Sequence, residues 1–374
     1  MAKYRIAWLP GDGVGVEVMD AARGVLDAVG FDAEYVHGDI GWEFWRAEGE
    51  PLPDRTLSVL RATDAALFGA ITSLPKEEAQ DALVPALKDK GLVYRSPIVR
   101  LRQEFNLRTN RRPCFAFPGN PLNYREGIDL VVFRENTEGM YAGVEFHPVP
   151  DEVRATLRKH SKPMAKFDSV GSGDMAITCR IITRRGAENI VRDAFEYAKA
   201  HGYPTVTLVE KPNVLRETSG LMVRTARDVA RSYPGIALWE TNIDAMAMWL
   251  IKNPQDYGVI VCSNLFGDVM SDLCAQLVGG LGFAASGNIG DDYAVFEPTH
   301  GSAPKYAGMN KVNPCAMILS AQMMLDWLGE SAAAGRIQEA VAAVIAEGKV
   351  RTYDMGGSST TRQMAEAVAA KARR

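Results

Sequence analysis

The stretch from Tyr4 to Gly30, YRIAWLPGDGVGVEVMDAARGVLDAVG, opens with a short apolar run, Arg5 to Leu9, and passes through glycines into helical periodicity from Val14 to Val29. A buried strand feeding a helix through a tight turn is the reading. The turn approaches the dinucleotide pattern G-x-G-x-x-G but carries Val16 at its sixth position, so Gly11, Gly13 and Gly15 are assigned to the turn itself. Strand-like runs recur at Ala65 to Phe68, Leu130 to Phe133, Val206 to Glu210 and Gly258 to Cys262. Between them lie helical patterns. From Gly186 to His201, residues Ala187, Ile190, Val191, Ala194 and Ala198 share one face, and Gly202 is placed to end the helix. The pattern is that of an α/β protein whose strands are covered by helices on both faces.

Length and composition fit that class. At roughly 150 residues per domain, 374 residues suggest two domains, and 47% apolar with 24% charged residues excludes a disordered or fibrous chain. A net charge of −4, from 42 Lys and Arg against 46 Asp and Glu, argues against a nucleic-acid or membrane-surface partner. Cys114, Cys179, Cys262, Cys274 and Cys315 lie far apart without C-x-x-C spacing, which disfavours a disulfide framework or zinc cage and points to a reducing cytoplasm. MAKYRIAWLP is too short an apolar run for a signal peptide, and no stretch reaches the roughly 18 apolar residues of a membrane helix, so a soluble protein is expected. There is no internal repeat or low-complexity linker. Between Gly143 and Thr183 the pattern loosens into polar sequence that suits an arm or short hairpins.

Three segments carry candidate chemistry. Arg95, Arg100, Arg102, Arg108, Arg111 and Arg112 crowd one short stretch, with Arg134 further on. Such a cluster would hold a small polyanion through bidentate contacts; a solvated helix face and an RNA-binding patch are the alternatives. Ser96 and Pro97 read as N-cap and first residue of a helix, and a free hydroxyl there would also favour a bound carboxylate. In SNLFGDVMSDLCAQL, Asp268 and Asp272 are four apart and expected on one face at a helix's first turn, where a divalent cation or the helix dipole would offset their repulsion. Oxygen ligands without His or Cys imply Mg²⁺ or Mn²⁺, with Asp244 a candidate third ligand. The Gly- and Pro-rich segment Phe296 to Pro314 carries His300, Lys305, Tyr306, Lys311 and Asn313, which suits a functional loop.

PGDGVGVE at 10–17, RLRQEFNLRTNRRP at 100–113, FRENTEGMYAGVE at 133–145, NLFGDVMSD at 264–272 and EPTHGSAPKYAG at 297–308 together resemble the β-decarboxylating dehydrogenases of isocitrate, isopropylmalate, homoisocitrate and tartrate. The resemblance implies a non-Rossmann α/β subunit. A large domain from 1–107 and 278–374 would enclose a small domain, 108–277, with a clasp arm after Gly143 that interlocks two subunits. It implies that Arg102, Arg112 and Arg134 grip the malate carboxylates, with Ser96 and Asn213 also at the substrate. Tyr141 and Lys211 would be catalytic, and Asp244, Asp268 and Asp272 would hold the metal. Because the lysine and the first aspartate come from the neighbouring subunit in this family, an obligate homodimer follows. Glu297, His300, Gly301, Ala303, Lys305, Tyr306, Asn313 and Tyr353 fall at cofactor positions.

Lys305 and Tyr306 stand where NAD-dependent relatives carry an acidic and an apolar residue, which favours NADP over NAD; Gly357 departs from the NADP pattern. For substrate, isocitrate ranks first, homoisocitrate second and isopropylmalate or another 3-substituted malate third. Ile98 and Val99 would suit an apolar substituent, and the charged stretch Ser73 to Val93 replaces a short glycine-rich loop. A silent regulatory subunit is disfavoured because Tyr141, Lys211 and the three aspartates are all present.

Overall fold

Tyr4–Gly11 is a strand and Gly15–Ala28 the helix that follows it, in a computed structural model that describes residues 2–373. The glycines between them permit close approach. Gly11 and Gly13 hold φ of +70° and +55°, and a Cβ would lie 1.9 Å from the Ala70 carbonyl oxygen at the first and 2.2 Å from that of Ser302 at the second.

The strands are β1 (Tyr4–Gly11), β2 (Ala33–His37), β3 (Ala65–Ala70), β4 (Thr109–Phe115), β5 (Asp129–Glu135), β6 (Glu145–Phe146), β7 (Ile177–Thr178), β8 (Thr205–Glu210), β9 (Ala237–Asn242), β10 (Val259–Cys262), β11 (Ala285–Ile289) and β12 (Ala294–Pro298). Ten form one sheet in the order β2-β1-β3-β12-β11-β4-β5-β10-β8-β9. That is not the 3-2-1-4-5-6 order of the dinucleotide-binding doubly wound fold. One half of the sheet draws on both ends of the chain and the other on its middle. They meet where β11 runs antiparallel to β4 through the pairs Gly287↔Arg111, Asn288↔Asn110 and Ile289↔Thr109.

Alternation along the strands feeds separate cores on the two faces. Ile6 and Leu67 pack with the helices Gly15–Ala28 and Cys315–Trp327, whereas Ala7 and Phe68 pack with Leu57, Leu60 and Leu101. In the other half, Val131, Val206 and Val259 meet the helices Arg184–His201 and Thr218–Ala230, while Leu130, Val132 and Ile260 meet Ile243–Lys252 and Asn264–Leu277. The α/β reading therefore holds. Gly202 ends its helix at φ +75°, as its position suggests.

The stretch after Ser73 is a folded element: the helix Lys76–Asp81 and a 3₁₀ segment, Pro85–Lys90, pack around Trp45, whose Nε1 donates to the Ala79 carbonyl at 2.7 Å. The irregular segment after Gly143 forms the two-stranded pair β6-β7 and a helix, Asp151–His160, none of whose residues is buried. All five cysteines are free thiols. Among the described residues no helix is long and apolar enough to cross a membrane.

Candidate active site

Arg134, next to last in β5, lies under the helix Asn264–Leu277, and it fits only because residue 267 is glycine: a Cβ there would lie 2.7 Å from the arginine's own Cβ. Its guanidinium, 2% exposed as a residue, donates to Asn264 Oδ1 from Nε at 3.0 Å and from Nη2 at 2.8 Å, and Nη1 pairs with Asp268. Arg112, two strand positions from Asn110, projects to the same face and donates to Asn110 Oδ1 at 2.6 Å and Ser271 Oγ at 2.7 Å, with Asp272 at 3.3 Å. Arg102, on the helix Pro97–Glu104, donates to Asn288 Oδ1 at 2.9 Å and faces Glu297 at 3.4 Å. Tyr141 donates to Asp268 Oδ2 at 2.5 Å, and the Arg134 guanidinium lies 4.9 Å from its ring.

Three buried cations this close perturb one another. Burial and repulsion from Arg102 and Arg112 push the Arg134 guanidinium down to about 10. Burial also opposes the charge of Asp268, but Arg134, Arg112 and the tyrosine hydroxyl outweigh it and hold that carboxyl below its usual range. Asp272 goes the other way, raised mainly by burial. Burial and the bond to Asp268 raise Tyr141, so its proton is retained at neutral pH.

The helix carrying the aspartates begins at Asn264 after Ser263, so Asp268 and Asp272 lie beyond its first turn, which holds no acidic residue. This corrects the expectation that the dipole could offset their repulsion, because the macrodipole fades within that turn. Arg134 and Arg112 supply the counter-charge. A second correction concerns the arginine cluster. Arg100 pairs outward with Glu50 and Asp54, Arg108 with Asp193 and Asp291, and Arg111 lies over the Tyr197 ring on the opposite sheet face. Strand alternation sends Arg111 and Arg112 apart.

Beside the cluster a cleft of about 1030 Å³ is lined by Arg95, Ser96, Val99, Gln103 and Tyr141. Ser96 is the N-cap of the helix that starts at Pro97, but its hydroxyl makes no capping bond and stays free. Ile98 packs into the core with Leu57 and Leu101 and so does not line the cleft.

Lys211 and Asp244 pair with each other at the end of β8 and in the first turn of Ile243–Lys252. Neither bonds to Tyr141, Asp268 or Asp272, and among the described residues no three His, Cys, Asp or Glu are grouped to hold a metal. Asn213 is exposed in the loop after Lys211.

A second cavity, about 490 Å³, is lined by His300, Gly301, Ala303, Tyr306, Asn313 and Tyr353 among the expected cofactor residues, and by Val14, Lys311 and Asp354. His300 Nε2 is buried without a hydrogen-bond partner, and burial lowers the imidazole's pKa. Lys305 does not line this cavity and sits 4.9 Å from the Tyr306 ring; Lys311 does, with Nζ 4.0 Å from the Tyr353 ring centroid and 5.7 Å from that of Tyr306. Glu297 stands apart, paired with Arg102. Asn110, Asn264 and Ser271 were not singled out by the sequence, although period-two spacing from Arg112 and three- or four-residue spacing to the aspartates place them on the site's face.

The sequence model of the isocitrate/isopropylmalate dehydrogenase family matches residues 5–368. Protein DlpA of Legionella pneumophila is 40% identical over 366 residues, 97% of this chain, and the chain spans 58% of that protein's length. The isocitrate/homoisocitrate dehydrogenase of Thermus thermophilus is 41% identical over 367 residues, 98% of this chain and 97% of the relative. Isocitrate dehydrogenase from Methylococcus capsulatus has a similar solved structure, with a TM-score of 0.86 at 39% identity, covering 99% of this chain and 100% of that one. On sequence and fold alike, the chain belongs to the isocitrate/isopropylmalate dehydrogenase family, decarboxylating oxidoreductases that act on 3-substituted malates with NAD(P) and a divalent metal.

Proposed function

We propose that this chain converts isocitrate to 2-oxoglutarate with NADP and Mg²⁺ or Mn²⁺, as a cytoplasmic homodimer with shared active sites. The observation that carries the reading is the convergence of Arg102, Arg112 and Arg134 beside a protonated Tyr141 and two carboxylates. Three cations hold a multiply charged acid by its carboxylates. The donor set suits a hard cation: Asp268 and Asp272 present only oxygen, and Arg112 Nη1 lies 3.5 and 3.3 Å from them. Their third partner would be the partner subunit's Asp244. Bound there, the ion would acidify the substrate hydroxyl and stabilise the enolate left by loss of CO₂. The partner subunit's Lys211 would accept the hydroxyl proton as hydride leaves for nicotinamide. Tyr141, which keeps its proton, would deliver it to carbon after decarboxylation.

The dimer reading is supported by apolar side chains left exposed around Lys211 and the aspartate helix: Val214 at 66%, Met248 at 55% and Val269 at 56%. The lobes would divide near residues 107 and 278, where the two halves of the sheet meet, and β6-β7 with its helix would be the clasp. For the nucleotide, the orphaned His300 nitrogen suits a polar ligand. Lys311 between two tyrosines, with Lys305 nearby, supports a 2′-phosphate and so NADP. Free cysteines, four of them buried, suit a reducing compartment.

Arg95 and the free Ser96 hydroxyl in the cleft favour a third carboxylate. Val99 in the same wall favours a longer or more apolar substituent, so homoisocitrate is second and isopropylmalate third. Turnover of isocitrate, homoisocitrate, isopropylmalate and tartrate with each nucleotide and Mg²⁺ or Mn²⁺ tests the assignment. The highest kcat/KM is expected for isocitrate with NADP; a higher value for another acid, or with NAD, replaces that part of the reading.

A further inference from the structure

Asn288 lies on β11 with no exposure to solvent, and its amide joins four elements. The carbonyl oxygen accepts from Arg102 Nε, Asn110 Nδ2 and Asn136 Nδ2, each at 2.9 Å, while Nδ2 donates to Glu297 Oε1 at 2.7 Å. An arginine can only donate and a carboxylate only accept, so the amide orientation is forced. Asn110 extends the chain in the same sense. Its own oxygen takes the Arg112 Nε hydrogen at 2.6 Å. Hydrogen bonds thus run one way from Arg112 through Asn110 and Asn288 to Glu297, crossing β4, β11 and β12, with Arg102 entering at Asn288.

All three arginines spend Nε on a neutral side-chain amide, Arg134 on Asn264, Arg102 on Asn288 and Arg112 on Asn110. Each turns a terminal nitrogen toward a carboxylate: Asp268 for Arg134, Glu297 at 3.4 Å for Arg102 and Asp272 at 3.3 Å for Arg112. A neutral acceptor at Nε fixes a guanidinium's plane without a further negative charge; a second carboxylate there would compete with an anionic ligand. We propose that Asn288 is a positioning residue that aims Arg102 directly, and Arg112 through Asn110, at the substrate carboxylates without adding a further negative charge at their Nε. The proposal rests on the reading of these arginines as the substrate grip. Ordered bonds in sequence polarise one another in a dry site, so the central amide controls both arginines together.

Asn288→Asp keeps an acceptor for all three donors but places a second carboxylate against Glu297 and a new negative charge beside Arg102. Kinetics with isocitrate, homoisocitrate and isopropylmalate, together with calorimetric binding of isocitrate, are expected to show the acid's KM and Kd rising about tenfold or more. The nucleotide KM and kcat at saturating acid should stay within about threefold. The double variant Asn288→Asp/Glu297→Gln restores a donor facing the new carboxylate and the original net charge, and should recover most of the lost affinity, with Glu297→Gln alone as the control. If the unsubstituted protein binds none of the three acids, the grip reading fails and the proposal with it. If it binds them and Asn288→Asp leaves the acid's KM within about twofold, the proposal alone is overturned. An equal rise in acid and nucleotide KM, or no recovery in the double variant, also overturns it, because either marks Asn288 as a scaffold for the fold in general.

Discussion

Tyr141 and Asp268, both partly exposed, gather at the buried Arg134 guanidinium in a group whose charges and hydrogen bonds are satisfied within one chain, whereas Lys211 and Asp244 pair near the far edge of the sheet among exposed apolar side chains. The first group is preorganised: its donors are held by Asn264 and Asp268 before any ligand arrives. The second offers a lysine and a carboxylate toward whatever covers Val214 and Met248. On the proposed reading, one chain builds the anion-binding half of a site and presents the proton-accepting half outward. An active site assembled only on association ties catalysis to oligomer formation.

The strongest way to break this comparison is to disable each half. Tyr141→Phe and Lys211→Met should each lower kcat by about 10²–10⁴-fold, with the acid's Kd little changed for Tyr141→Phe. An unchanged kcat would remove the residue from the chemistry. Mixing the two inactive variants sharpens the point. If the halves come from different chains, co-refolding at equal amounts should restore about a quarter of normal activity, since half the dimers are mixed and each has one intact site. No recovery would place both groups in the same chain's site.

Within the first group the partly exposed Asp268 and the exposed Asp272 should behave differently. Asp268→Asn leaves Arg134 without its carboxylate and should cost about 2–3 kcal/mol in denaturant unfolding. Because Asp268 titrates below its usual value, the stabilisation it brings is present above the unfolded pKa near 3.8 and is lost as pH falls through the folded value. The gap between variant and original should accordingly close below about pH 4. Asp272 is raised by burial, so the fold disfavours its charge as pH rises through the ordinary carboxylate range, and Asp272→Asn should be neutral or slightly stabilising without metal. The smallest effect is the most telling: Mn²⁺ should raise the Tm of the original protein and leave both variants nearly unmoved.

Much of this was legible from residues alone. β1 and its helix, the helix closed by Gly202 and the helix opened by Ser96–Pro97 each followed from local periodicity and capping. The convergence of Arg102 and Arg112 was legible only through resemblance, since they come from a helix and a strand that sequence distance cannot bring together. Composition showed an arginine-rich stretch but could not say that Arg111 would turn to Tyr197 and Arg112 to Ser271, because that depends on where the strand begins. Ile98 suited an apolar substituent by sequence, and it packs partly buried against the core with Leu57 and Leu101, a matter of helix rotation. Lys305 was favoured over Lys311 by position in a motif, yet Lys311 lines the cavity because the loop turns back toward Tyr353. Asn288 had no local signal, since Arg102, Asn110, Asn136 and Glu297 come from a helix, β4, the loop after β5 and β12.

The seam between β11 and β4 has a mechanical consequence. Three residue pairs join the halves of the sheet there, so the two halves are not bodies on a free tether. On the proposed two-lobe division, widening the cleft would wind or unwind the short ladder, as a torsion bar yields by twisting along its length. The restoring torque would then act on Asn110 and Asn288, which orient the guanidinium groups, so the angle between the proposed lobes and the aim of the arginines would change as one motion.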